Sequence, residues 1–321
     1  MNSIKKVLIA QPHGFCAGVA RAVKAVEDTL AIFGAPVYVK HEIVHNKHVV
    51  DAITKQGAIT VETLEEVPEG SVVIFSAHGS PRAHYEVARE RQLHLIDATC
   101  PLVTKVHLEV LRFIKEGYRI IYIGHRGHIE GVGVLGEAPG VSIPVVETVA
   151  DVEALTLPTS DKLVYLTQTT LSIDETRAVI AALRKKYPQI VAPPLEDICY
   201  ATTNRQEAVK ALAKTVPIVI VVGSVTSSNS NRLRETAEQA GAQAYLVDDA
   251  SDLEAAWFDG VSIVGVTGGA SAPEDRIQTV IDYFTGQGAV AERFSVKEEK
   301  MFFAEPVELM KARKMVFLKG T

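Results

Sequence analysis

The chain has 321 residues, a prior of about two domains at ~150 residues each, and its 47% hydrophobic and 22% charged residues exclude wholesale disorder. A total of 33 Lys and Arg against 39 Asp and Glu leaves a net charge of −6, without the basic excess that a nucleic-acid partner demands. No run reaches the ~18 apolar residues of a membrane span, and Val7-Leu8-Ile9-Ala10 behind Lys5-Lys6 is too short for a secretory leader, so the expectation is a cytoplasmic protein with no nucleic-acid or membrane partner.

In chain order, the pattern predicts a strand at 6–10, a helix at 17–33, strands at 37–39 and 71–76, a helix at 101–116, and strands at 119–123 and 162–166. Helices at 173–187 and 202–213 follow, then a strand at 218–222, a helix at 229–240, and strands at 244–247 and 262–266. Val- and Ile-rich runs alternating with helical patterns mark an α/β protein with mostly parallel sheets.

Cys16, Cys100 and Cys199 are the only cysteines, an odd number in a compartment where disulfides rarely persist. Each precedes a helical pattern, and Pro101 suits a first helical turn. A helix N-terminus favours thiolate over thiol. The three are spaced by roughly one small domain, which points to three α/β units around a pseudo-threefold axis, each bringing one sulfur to a shared centre. A closed zinc site wants four ligands. A cubane cluster on three cysteines leaves one iron open to a substrate oxygen. Three unrelated buried thiols are the alternative.

Ligands of open α/β sheets lie beyond the carboxyl ends of the strands. The segments there are Lys40-His41-Glu42-Ile43-Val44-His45, Ala77-His78-Gly79, Gly124-His125-Arg126-Gly127-His128-Ile129-Glu130, Thr167-Gln168-Thr169, Ser227-Ser228-Asn229-Ser230-Asn231 and Gly269-Ala270-Ser271. Hydroxyls, amides, imidazoles and helix-start N–H groups in such number describe an anion site large enough for a diphosphate. Glu130, flanked by Gly127, Gly131 and Gly133, reads as a carboxyl group in a confined glycine-rich loop, tuned for proton transfer. His13, His48, His84, His94 and His107 are expected to be solvated or satisfied structurally.

The segments Gly14-Phe15-Cys16-Ala17-Gly18-Val19, His41-Glu42-Ile43-Val44-His45-Asn46, Phe75-Ser76-Ala77-His78-Gly79, Asp97-Ala98-Thr99-Cys100-Pro101 and Asp197-Ile198-Cys199-Tyr200-Ala201-Thr202-Thr203-Asn204-Arg205-Gln206 resemble the 4-hydroxy-3-methylbut-2-enyl diphosphate reductases. The resemblance runs from about residue 7 to 280. It implies a trefoil of three α/β domains around a [4Fe–4S] cluster held by Cys16, Cys100 and Cys199. The blocks expected are 1–100, 101–197 and 198–285, followed by a tail at 286–321.

Residues matching the family's diphosphate binders are His45, His78, Ser227, Ser228, Asn229 and Ser271, with His128 nearby. Glu130, assisted by Thr169 and His128, matches the proton donor. The implied reaction removes an allylic hydroxyl with two electrons to give isopentenyl and dimethylallyl diphosphate. Because a cluster handles electrons one at a time, an external donor such as ferredoxin or flavodoxin is implied. One departure is visible: the family usually reads Gly-His-Pro-Glu-Val, whereas this chain has Ile129 and Gly131 at the proline and valine positions. Related three-cysteine cluster enzymes act on carboxylates and would place an arginine pair where Ser227-Ser228-Asn229 stands. A non-enzymatic cluster sensor would carry a DNA- or partner-binding element, and none is apparent.

Overall fold

In the computed structural model, which describes residues 4–158 and 162–319, the first stretch of chain forms β1 (Lys6–Gln11), α1 (Ala17–Phe33), β2 (Val37–Lys40), α2 (Lys47–Lys55), β3 (Ala58–Val61), β4 (Val72–Phe75), α3 (Arg82–Glu90) and β5 (His94–Asp97). The middle forms α4 (Pro101–Lys115), β6 (Arg119–Ile123), α5 (Ile129–Leu135), β7 (Val145–Val146), α6 (Val149–Ala154), β8 (Leu163–Thr167) and α7 (Ile173–Lys186). The remainder forms α8 (Tyr200–Ala213), β9 (Ile218–Val222), α9 (Ser228–Gln239), β10 (Gln243–Val247), β11 (Ile263–Gly268), α10 (Glu274–Thr285), β12 (Val290–Ser295) and α11 (Val307–Lys319).

Two compact units divide these elements. The first comprises Met1–Val19, His45–Asp51 and Tyr200–Phe302. Its sheet runs β10-β9-β11-β1-β12 with all neighbours parallel. β9 is Ile-Val-Ile-Val-Val and wholly buried. Because strand side chains alternate between faces, Ile218, Ile220 and Val222 enter one apolar cluster with Val264, Val266 and Ile277, while Val219 and Val221 enter another with Leu212 and Leu233. Each such fully buried side chain stabilises the fold by about 1.5–3 kcal/mol. A strand covered by helices on both faces needs a continuous apolar run, and that is what made β9 readable.

The second unit comprises Ala20–Val44, Ala52–Cys199 and Phe303–Thr321 and holds two parallel sheets, β3-β2-β4-β5 and β7-β6-β8. In the latter, Ile121, Ile123, Leu163 and Tyr165 face α7, whose Val179 and Leu183 are buried with them. Ile120, Tyr122, Val164 and Leu166 face α4 through Val106, Val110 and Phe113. That helical spacing of apolar residues turns one stripe of α4 to the sheet.

The expected α/β class with parallel sheets is what the chain forms, but the expected blocks do not map one to one onto the sheets. β1, from the first block, pairs with β11 and with β12, which comes from the tail. β12 carries little apolar signal because it is mostly exposed; its backbone pairing to β1 holds it. Residues 1–3, 159–161 and 320–321 of those blocks lie outside the described residues. Among the described residues, no helix is long and apolar enough to cross a membrane.

Candidate active site

None of the three cysteines is in a disulfide and all are partly exposed, and all three stand at helix starts. Cys16 precedes α1 and accepts the Val19 N–H on Sγ at 3.5 Å. Cys100 is the N-cap of α4, with Pro101 in the first turn. Cys199 directly precedes α8. A local contact recurs at each. The amide of Cys16 donates to the carbonyl of Ala270 after β11 (3.1 Å), that of Cys100 to Ala77 after β4 (3.0 Å), and that of Cys199 to Thr169 after β8 (3.0 Å). Every thiol is thus tied by its backbone to a loop at the carboxyl end of a strand. Tyr200, the residue after Cys199, accepts the N–H of Ala17, the residue after Cys16, at 3.1 Å, and burial pushes the Tyr200 phenol up to about 12. Thiols at positive helix ends are donors suited to an iron–sulfur cluster. Among the described residues, no group of three His, Cys, Asp or Glu side chains is arranged to hold a single metal ion.

The carboxyl group is built within the second unit. The chain leaves β6 and turns through Gly124-His125-Arg126-Gly127 into α5, where His128 is the N-cap and its Nδ1 accepts the Glu130 N–H at 3.2 Å. Glu130 therefore lies in a helical turn rather than in the loop its glycines predict. The reason is close approach: a Cβ at Gly133 would come within 3.3 Å of the His107 ring and 3.4 Å of the Gly79 carbonyl carbon. The run Gly131-Val132-Gly133-Val134-Leu135-Gly136 also spells G-x-G-x-x-G, but inside α5 and not at a strand-to-helix turn, so it is not a dinucleotide fingerprint. Ile129 takes the first helical position, where proline is favoured for its preset φ, and the departure from the family pattern leaves the carboxyl group anchored elsewhere.

That anchor is Thr169. Its N–H donates to Glu130 Oε1 at 2.7 Å and its hydroxyl to Oε2 at 2.8 Å. Glu130 is 2% exposed. Burial pushes its pKa up to about 7, against the downward pull of the two Thr169 donors and of His107, with Asp197 adding to the rise. His78 is half-buried and hydrogen-bonded to Ser76 Oγ through Nδ1 at 3.2 Å. It neighbours Ala77, which receives the Cys100 amide.

The first unit gathers the hydroxyl and amide groups. Ser227 caps α9; its Oγ accepts from Ser230 N (3.3 Å) and is hydrogen-bonded to the hydroxyls of Ser230 (3.1 Å) and Ser271 (3.3 Å). Ser271 also donates to the His45 carbonyl at 3.1 Å. Asn229 Oδ1 accepts the Ala270 N–H at 2.8 Å, and its Nδ2 donates to Thr202 Oγ1 at 3.4 Å. Ser227, Asn229 and Ser271 are all buried, and Ser228 opens the helix. Within this unit the structure brings together His45, Ser227, Asn229, Ser271 and the Cys16 amide. Within the second it brings together Glu130, Thr169, His128 and the Cys199 amide.

Sequence reasoning missed several buried polar groups. His107, expected to be solvated or satisfied structurally, is 7% exposed, with Nδ1 on Glu137 Oε1 at 2.7 Å and Nε2 without a hydrogen-bond partner. Asp197 accepts from Thr167 N (2.8 Å) and from Lys105 Nζ (2.7 Å), and Glu109 beside it is raised to about 7 by burial and by the Asp197 charge. The available signal was polar residues inside the apolar stripe of α4, since His107 and Glu109 flank Val106 and Val110.

A family described as LytB protein matches residues 7–285. The chain belongs to the LytB family. Two relatives named 4-hydroxy-3-methylbut-2-enyl diphosphate reductase, from Alcanivorax borkumensis and Tolumonas auensis, are each 53% identical over 308 residues, covering 95% of this chain and 99% of theirs. Among solved structures, the E-1-hydroxy-2-methyl-but-2-enyl-4-diphosphate reductase from Plasmodium falciparum is similar with a TM-score of 0.95 at 38% identity, covering 99% of this chain and all of that one. A structure of (E)-4-hydroxy-3-methyl-but-2-enyl diphosphate reductase, described as the terminal enzyme of the non-mevalonate pathway, is similar with a TM-score of 0.63 at 32% identity, covering 88% of this chain and all of that one. The expected family resemblance and the α/β class both hold.

Proposed function

We propose that this chain is the enzyme that reduces (E)-4-hydroxy-3-methylbut-2-enyl diphosphate to isopentenyl and dimethylallyl diphosphate, the last step of the methylerythritol phosphate route to isoprenoids, in the cytoplasm. The observation that carries the reading is 53% identity, over 95% of the chain, to relatives bearing that reductase's name. The balance is two electrons and two protons in: the C–O bond of the allylic alcohol breaks, a C–H bond forms, and water leaves.

Cys16, Cys100 and Cys199 would hold a [4Fe–4S] cluster, which when bound supplies single electrons and a Lewis-acidic iron toward the alcohol oxygen. In support, all three are thiols outside any disulfide, at helix starts, with the same amide-to-loop tie. Glu130 is the proton donor to the departing hydroxyl. A carboxyl group raised to about 7 is protonated in half the molecules at neutral pH, the condition under which a general acid is most effective. Thr169 fixes both carboxyl oxygens, and His128 sets the helical turn that presents them.

Diphosphate binding is assigned to Ser227, Ser228, Asn229, Ser271 and His45, whose hydroxyl, amide and imidazole groups meet phosphate oxygens at the start of α9. The roles of His78 and His128 toward the diphosphate are carried over from the family pattern. Electrons come from an external one-electron carrier such as ferredoxin or flavodoxin.

The test is anaerobic turnover of the full chain with the allylic diphosphate and a reduced one-electron donor. Both isomeric products and one water per turnover are expected. A sample with full iron and sulfide that leaves the alcohol intact overturns the reading.

A further inference from the structure

Two arginines each hold the backbone beside a cysteine while taking a partner from the C-terminal run 299–304. In the first unit, Arg205 on α8 is 1% exposed. A buried guanidinium needs a counter-charge. Glu299 provides it, with Oε1 and Oε2 at 3.0 and 3.2 Å from Nη1, and Asn204 Nδ2 holds Oε1 at 2.9 Å. The other edge of the same fork, Nε and Nη2, donates to the Gly14 carbonyl at 3.2 and 2.8 Å. Gly14 lies two residues before Cys16, at φ +67, where a Cβ would come within 3.1 Å of Ile277. With the Gly14 N–H on Gly268 O at 3.1 Å, this loop is held on both its polar groups.

In the second unit, Arg21 on α1 donates from Nη1 to the Thr99 carbonyl at 2.9 Å, directly before Cys100, and from Nε to the Ala304 carbonyl at 2.7 Å. Thr99 N–H is itself fixed by Asp97 Oδ1 at 3.0 Å. We propose that Glu299 and the 304 carbonyl act through Arg205 and Arg21 as positioning residues, fixing the backbone that aims the Cys16 and Cys100 thiols. The inference rests on the reading of those cysteines as cluster ligands. Groups that orient metal ligands typically change metal affinity by 10–100-fold when removed.

Glu299→Gln removes the counter-charge at Arg205. Arg21→Lys keeps the charge near Cys100 and loses the planar fork. In the cluster-free full chain, alkylation of each cysteine by iodoacetamide is followed by peptide mass spectrometry. Glu299→Gln is expected to accelerate Cys16 on the order of tenfold and leave Cys100 at the native rate, and Arg21→Lys to do the converse. After anaerobic reconstitution, both variants are expected to lose iron to a chelator about tenfold faster than the native chain. Equal acceleration of both thiols in either variant signals general loosening and overturns the proposal, as does no acceleration in either. A native chain that takes up no iron at all defeats the cluster reading, while the two alkylation patterns still decide the positioning role.

Discussion

Thr169 gives both of its donors to Glu130, one to each carboxyl oxygen, at 2.7 and 2.8 Å, and gives its carbonyl to the Cys199 amide. Two hydrogen bonds would ordinarily stabilise the charged carboxylate, yet burial outweighs them and the group stays half-protonated near neutrality. An acid held in place on both oxygens and still able to carry a proton is suited to general-acid catalysis.

Glu130→Gln preserves shape and keeps one acceptor oxygen for the Thr169 N–H, its amide group donating where Oε2 accepted from the Thr169 hydroxyl, and it removes the acid. Turnover should fall by about 10²–10⁴-fold while the diphosphate still binds. Parallel measurements of kcat and of substrate affinity by calorimetry check this, and near-native kcat removes the proton role.

The rate of the native chain should decline as pH rises through about 7, where Glu130 gives up its proton. His107 pulls that pKa down, so His107→Gln should move the falling limb to higher pH. A pH–kcat/KM profile of both proteins decides it; a shift toward lower pH contradicts the electrostatic assignment.

Stability should follow the same group. Unfolded Glu130 releases its proton near about 4.3, whereas the folded form keeps it to about 7. Between those values the folded state binds more protons, so stability is lost as pH rises and is not regained above them. Glu130→Gln should therefore be more stable than the native chain at pH ~8, by roughly 1–3 kcal/mol, with the gap closing toward pH ~4. Urea melts at the two pH values measure it.

Asn229→Ala strips the acceptor from the Ala270 N–H and a donor from the start of α9. Affinities for the substrate and for inorganic diphosphate should weaken together, by about 1–3 kcal/mol. Titration calorimetry with each ligand separates the outcomes, because weakening of only one breaks the assignment of this cluster to the diphosphate.

Cys100→Ser replaces a soft thiolate donor with a hydroxyl at the α4 N-cap, a position that serine fills well. The chain should fold and lose most of its iron after reconstitution, as read by iron and sulfide analysis. Full retention rules out Cys100 as a ligand.

The parts of this architecture legible in the sequence were those where one physical demand dominates. β9 had to be apolar on both faces, and Cys100 with Pro101 announced a helix start. Ser227 was readable as a cap, although its hydrogen bonds to Ser230 and Ser271 were not. α5 was hidden because glycine is a poor helix former, and only the three-dimensional crowding at His107 explains why glycine stands there. β12 was hidden because an exposed edge strand owes its place to a partner distant in the chain. Arg205 and Glu299 were illegible for a related reason: a buried ion pair across 94 positions leaves no periodic trace.

The pairing of β1 with β11 and β12 also bears on how the protein is made. β1 is synthesised before residues 263–295 and must wait for them before its sheet neighbours exist, a delay of tens of seconds at ordinary translation rates. Until then Val7 and its companions have nowhere to be buried. Synthesis in the cell should therefore depend on chaperones in proportion to how long β1 stays unpartnered.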